Sequence, residues 1–135
     1  LKSLPTELRF NFDNLSILIR HASLWDEQTY LYADSAAILK THLKKNEIFV
    51  CGHTHRPLQV VLGEGKHINP GAVGQPRDWN PLPSYAILDT KSREIEIKRV
   101  TYDVKSFQKR LLELGWDDDL IEILSRERIS HERTY

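Results

Sequence analysis

Apolar residues change their period several times along this chain, and each change marks an element. Leu8, Phe10 and Phe12 alternate with mostly polar neighbours, which predicts an edge strand or arm within residues 1–13, turning at Asp13-Asn14. Leu15 to Arg20 is an apolar, β-branched run ending at His21, and Glu47-Ile48-Phe49-Val50-Cys51 is another, closed by Gly52. Residues 22–33 between them lack a period and read as loop. Asp34-Ser35 can cap a helix through Lys45, with Ala37, Ile38, Leu39 and Leu43 as its apolar stripe. Strand, helix, strand in that order suits a right-handed βαβ crossover in a mainly parallel or mixed sheet.

From Leu58 the pattern shortens. Gln59–Leu62, Lys66–Asn69, Ser84–Asp89 and Glu94–Val100 read as strands, with turns at Gly63-Glu64-Gly65 and Thr90-Lys91-Ser92-Arg93. Together they predict an antiparallel meander, a second sheet facing the first. Val104, Phe107, Leu111, Leu112 and Leu114 then form one amphipathic helix stopped at Gly115. Asp117-Asp118-Asp119 opens another helix, with carboxylates at its positive end. The periodic part, residues 1–125, is expected to be one unit, and residues 126–135 a flexible tail.

Composition narrows the function classes. The 135 residues suffice for one modest core, and the 40% hydrophobic share suits a piece that expects a partner surface. Nineteen basic residues balance nineteen acidic ones without a long run of either sign, which removes a bulk nucleic-acid surface. The single cysteine, Cys51, excludes an internal disulfide and suggests a reducing, cytoplasmic setting. Its place in an apolar strand predicts a buried, inert thiol. No apolar stretch approaches the ~18 residues of a membrane span.

Candidate chemistry sits where the strands stop. Gly52-His53-Thr54-His55 places two imidazoles one residue apart at a strand end, where alternate side chains would face one cavity. Neutral imidazole is the commonest protein ligand for a transition metal, but such a pair alone is also what an exposed polar loop looks like. Downstream, Asn69-Pro70-Gly71-Ala72-Val73-Gly74-Gln75-Pro76-Arg77-Asp78 is a turn-rich loop with little apolar content. Gly71 and Gly74 would allow close backbone approach to an anion, and Arg77 could fork onto a phosphate or pair with Asp78 or solvent.

In series, GHTHRP and NPGAVGQPRD strongly resemble the C-terminal half of calcineurin-like metallophosphoesterases, most of all the small prokaryotic phosphodiesterases. The resemblance implies an α/β fold: the C-terminal half of a layered α-β-β-α sandwich, with a mixed sheet, an antiparallel meander and C-terminal helices. It implies that His21 and His53 bind one metal of a dinuclear centre, that His55 binds the other, and that Asn69, Gly71 and Arg77 line the substrate cleft. In the family a glycine usually follows the histidine matched by His21, whereas here Ala22 does, so the turn is expected to differ.

The same resemblance implies upstream DxH, GDxxD and GNH[DE] motifs, and none occurs in this chain. The chain is therefore expected to be about half a phosphoesterase domain, inactive alone, which hydrolyses phosphate esters once an N-terminal half or a second copy supplies carboxylates. Two divalent ions per complete site are implied, with Mn, Fe, Ni and Zn all open. A non-catalytic protein-binding module on the same fold is the alternative from another class, and a mononuclear three-histidine hydrolase ranks last. His42, on a lysine-rich helix, and His131 read as ordinary surface residues, and His67 as a possible donor behind the metal ligands. Asp26, Glu27, Trp25, Tyr30 and Tyr32 read as loop residues, one of whose aromatics could stack on a base.

Overall fold

A computed structural model describes residues 3–12 and 14–125. Strands β1 (Glu7–Phe12), β2 (Leu15–Arg20), β3 (Glu47–Cys51), β4 (Leu58–Leu62) and β5 (Gly65–Asn69) form one mixed sheet in the order β1-β2-β3-β5-β4. β6 (Ser84–Leu88) and β7 (Ile95–Arg99) form a separate antiparallel pair. A 3-10 turn at Ala33–Ser35 leads into α1 (Ala36–His42), and α2 (Val104–Glu113) and α3 (Asp118–Glu122) follow the strands. The α/β class is as expected. The tail assigned to residues 126–135 lies outside the described residues, as does Asp13 of the first turn.

The predicted βαβ crossover is present: β2 and β3 are parallel neighbours, with Leu18 opposite Phe49 and Arg20 opposite Cys51. Period-2 alternation divides their side chains between two cores. Leu18, Phe49 and Cys51 pack with Leu31, Leu62 and Leu39 of α1 on one face. Leu15, Ile17, Ile48 and Ile68 pack on the other, under Leu88 and Ile95 of the two-stranded sheet. The sheet is thus covered by a helix on one side and a second sheet on the other, which is why β2 and β3 read as continuous apolar runs.

Two expectations change in detail. The four short strands do not share one sheet: the β4–β5 hairpin joins the first sheet, β5 running parallel to β3 with Phe49 opposite His67. The buried residues of β5 decide this, because His67, Ile68 and Asn69 need cover on both faces and an outer sheet offers it on one. Helix α1 also stops at His42 rather than Lys45. Leu43 is already extended, and the Lys44 amide donates to the buried Glu47 carboxylate at 3.1 Å, turning the chain into β3. Asp103 caps α2 as an acceptor for the Ser106 amide at 3.0 Å, and Gly115 ends that segment at a φ of 77°. Among the described residues no helix is long and apolar enough to cross a membrane.

Candidate metal centre

Parallel pairing of β2 and β3 delivers two histidines to one place. Their C-terminal ends lie side by side, and the Gly52 amide donates to the His21 carbonyl at 2.9 Å, so His21 and His53 leave adjacent strand ends together. His21 Nε2 and His53 Nδ1 are 3.1 Å apart, with the rings nearly perpendicular at 76°. Ala22 completes its turn without a positive φ and is buried, so a glycine is not needed there.

The GHTH segment is not a continuation of the strand. His53 and His55 both adopt left-handed backbone, with φ of 63° and 57°. Their placement therefore comes from two reversals flanking Thr54, not from the alternation expected at a strand end. Such backbone costs a non-glycine residue roughly 1–2 kcal/mol, and buried hydrogen bonds hold it. Thr54 is 3% exposed; its amide donates to the Gly52 carbonyl at 2.7 Å, and its hydroxyl receives the Arg56 amide at 3.2 Å and the Asn69 side-chain amide at 2.9 Å.

Backbone carbonyls fix the protons of these imidazoles, since a carbonyl can only accept. His53 Nε2 must carry the hydrogen given to the Gln28 carbonyl at 3.1 Å, so that in the neutral ring it is Nδ1, turned toward His21, that has the lone pair. His55 Nδ1 must carry the hydrogen given to the Gln75 carbonyl at 2.9 Å, so that in the neutral ring it is Nε2 that has the lone pair. Holding the far nitrogen of a ligand imidazole in this way is how metal sites set tautomer and orientation. Two nitrogens each ~2.05 Å from one ion, at ligand angles of about 90° to 109°, stand ~2.9 to ~3.4 Å apart. The 3.1 Å between His21 and His53, which is a hydrogen-bonding distance between the rings, also lies inside that range, so the spacing of this donor pair suits a shared divalent ion. His55 does not join them in one cluster: among the described residues no group of three His, Cys, Asp or Glu side chains is placed to hold a metal.

The predicted cleft residues fare differently. Asn69 is wholly buried; its amide nitrogen donates to the Gly52 carbonyl at 2.5 Å and to Thr54 Oγ1, and its oxygen receives the Gly71 amide at 2.9 Å. It pins the GHTH loop to the NPG loop and has no surface left for a substrate. The Gly71 amide is spent on the same bond, so it offers nothing to an anion. A glycine stands there because φ is 91° and a Cβ would overlap Ser84 Oγ and lie 2.8 Å from Pro57 Cγ. Arg77 is exposed, and among the described residues its guanidinium bonds only the neutral Gln75 side chain, at 3.1 and 3.3 Å. Asp78 pairs instead with Arg99.

Asp26 and Tyr30, which read as loop residues in the sequence, have specific places at the site. Asp26 accepts from the Gln28 and Thr29 amides at 2.7 and 2.6 Å and from the Thr29 hydroxyl. The Thr29 bonds, before the Gln28 bond, hold its carboxyl below the usual range. That turn presents the Gln28 carbonyl to His53, and the only advance signal was an Asp two residues before Gln28. The Tyr30 ring lies 3.9 Å from that of His53, centre to centre. His67 is not behind the metal ligands: it is fully buried, 3.2 Å from Cys51 Sγ, and burial lowers its pKa to about 4. Cys51 is inert as expected, its thiol pushed up to about 12 by burial.

Residues 1–93 match the model of the calcineurin-like phosphoesterase superfamily domain. The chain belongs to this family. It is 32% identical over 132 residues to the uncharacterized protein MJ0912 of Methanocaldococcus jannaschii, a match spanning 83% of this chain and 52% of that one. Phosphodiesterase YfcE of Escherichia coli is 47% identical over 47 residues, covering 35% of this chain and 25% of YfcE. Among solved structures, a metallophosphoesterase from Sphaerobacter thermophilus superposes with a TM-score of 0.81 at 28% identity, over 93% of this chain and 60% of that chain. The chain thus spans about half the length of MJ0912 and less of YfcE.

Proposed function

We propose that this chain contributes the histidine side of a dinuclear, metal-dependent phosphodiesterase centre, which carboxylates from an N-terminal half or a second copy complete. The observation that supports this most is the tautomer arrangement. Gln28 and Gln75 each hold the hydrogen of one imidazole, so that in the neutral rings the lone pairs fall to His53 Nδ1 and His55 Nε2. His21 and His53 would hold one ion and His55 the other. Bound Mn, Fe, Ni or Zn would polarise a phosphoryl oxygen and bring the pKa of a coordinated water toward neutrality. The chain's own residues orient the His53 and His55 rings through the Gln28 and Gln75 carbonyls, while Asn69 and Thr54 hold the loop that carries them.

Calorimetric titration with Mn²⁺ and hydrolysis of a bis-aryl phosphodiester test this together, on the 135-residue chain and on the chain with the N-terminal half of a family member added. Weak metal binding lost in His21→Ala and His53→Ala is expected, with activity appearing only on complementation and vanishing in His55→Ala. A chain that binds no Mn²⁺ and gains no activity on complementation would instead be a non-catalytic protein-binding module. That reading draws on the finding that, among the described residues, no group of three His, Cys, Asp or Glu side chains is placed to hold a metal.

A further inference from the structure

The loop that leaves His55 and the loop that returns past it form a second feature. Arg56, Pro76, Arg77 and Trp79, with Ile123, line a cleft of about 320 Å³, near the lower end of the size of small-molecule sites. It borders the candidate metal centre: Arg56 follows His55, and the Arg77 amide donates to the His55 carbonyl at 3.0 Å. Both guanidinium groups are exposed, and neither makes an ion pair among the described residues. Arg56 lies over the Tyr32 ring at 5.9 Å.

Trp79 is the telling member. Its backbone φ is 65°, a conformation that disfavours a bulky side chain, yet the indole remains 56% exposed, so burial offsets little of the strain. The neighbouring residues enforce it. Asp78 turns inward to Arg99, which also donates to the Leu82 carbonyl at 2.7 Å, while the Leu82 amide donates to Asn80 Oδ1 at 3.0 Å. With Asp78 anchored, Arg77 and Trp79 are left at the cleft. Two guanidinium groups without an ion pair among the described residues, Arg77 held only by the neutral Gln75 Oε1, suit a phosphate, and an exposed indole suits a flat π-system.

We infer that this cleft is a specificity subsite for a nucleoside phosphate, Arg56 and Arg77 taking a phosphate and Trp79 stacking on the base. The inference rests on the phosphodiesterase reading above, since it names the group the substrate carries beside the reacting ester. Binding of AMP, phenyl phosphate and inorganic phosphate to the metal-free chain tests it without catalysis. AMP should bind about tenfold or more tighter than inorganic phosphate. Trp79→Gly accepts the positive φ without strain; it should bring AMP down to the level of inorganic phosphate and leave inorganic phosphate unchanged. Arg56→Gln with Arg77→Gln should weaken both. Equal binding of AMP and inorganic phosphate, or a Trp79→Gly chain that binds AMP as before, would overturn the subsite. Phenyl phosphate binding as tightly as AMP would overturn the nucleobase. Hydrolysis of simple diesters on complementation, without AMP binding, would sink the subsite and keep the metal centre; AMP binding without hydrolysis would do the reverse.

Discussion

The stability of this chain should fall by about 3 kcal/mol between pH 7 and pH 4, and His67 should account for it. Its ring lies stacked on Phe49 with centres 5.4 Å apart, Nε2 meets Cys51 Sγ, and Nδ1 is buried without a partner among the described residues. No carboxylate is among these neighbours to stabilise an imidazolium, and burial therefore lowers the pKa from 6.5 to about 4. The sign follows from proton counting. Between those two pH values the unfolded chain binds a proton that the folded one excludes, so stability is full above about pH 6.5 and is lost as the pH falls toward 4. A drop from 6.5 to about 4, at roughly 1.4 kcal/mol per unit, gives the ~3 kcal/mol. That is a large part of the ~5–15 kcal/mol typical of a domain.

Urea unfolding at half-unit pH steps from 7 to 4 measures this, compared with His67→Leu. The variant loses the contact with Cys51 but also removes an unsatisfied buried nitrogen, so its stability at pH 7 should lie within about 1–2 kcal/mol of the parent. Its profile from pH 6.5 to 4 should be flat. Asp26, Asp89 and Asp103 do not confuse the window, because hydrogen bonds hold all three carboxyls below 3.8. Their contribution is present above that value and is lost only at more acid pH. A parent that keeps its full stability to pH 4, or a variant with the same slope, would refute this account.

Other outcomes follow from single contacts. Gly71→Ala should cost about 2–4 kcal/mol in urea unfolding, from a positive φ and overlap with Ser84 and Pro57, whereas Gly74→Ala, which meets nothing within 4 Å, should stay within about 0.5 kcal/mol. Asn69→Ala strands the Gly71 amide and frees the Gly52 carbonyl; it should cost about 2–3 kcal/mol and broaden the His53 and His55 resonances in NMR. Arg9→Ala removes the 2.5 Å partner of Glu47, which is 2% exposed. Because Arg9 is itself partly open to solvent, the expected loss is about 2 kcal/mol, below the ~3–5 of a fully buried pair, and Glu47→Gln in the same background should recover part of it.

The parts of this molecule that could be read from its residues are those governed by one dominant local force. Strands β2 and β3 are buried on both faces, and their unbroken apolar runs say so; the two-residue β4–β5 loop is written in Gly63 and Gly65. Which sheet that hairpin joins is a tertiary choice, made by His67, Ile68 and Asn69 needing cover on both sides, and no period in the sequence encodes it. At the candidate site, the pairing of His21 with His53 came only from the family resemblance, and the structure brings the two rings together because parallel strands end side by side. The backbone reversals at His53, His55 and Trp79 were not legible, because left-handed conformation outside glycine leaves no mark in composition. Those three residues bear their strain where the chain faces the candidate metal centre and the cleft beside it, while Asn69, assigned to substrate by its motif, is the buried clamp that makes the strain sustainable. A motif therefore marks where chemistry gathers without dividing the labour inside it: in NPGAVGQPRD, Asn69 and Gly71 hold the loop, and Arg77, with Trp79 just beyond the motif, is left facing the cleft.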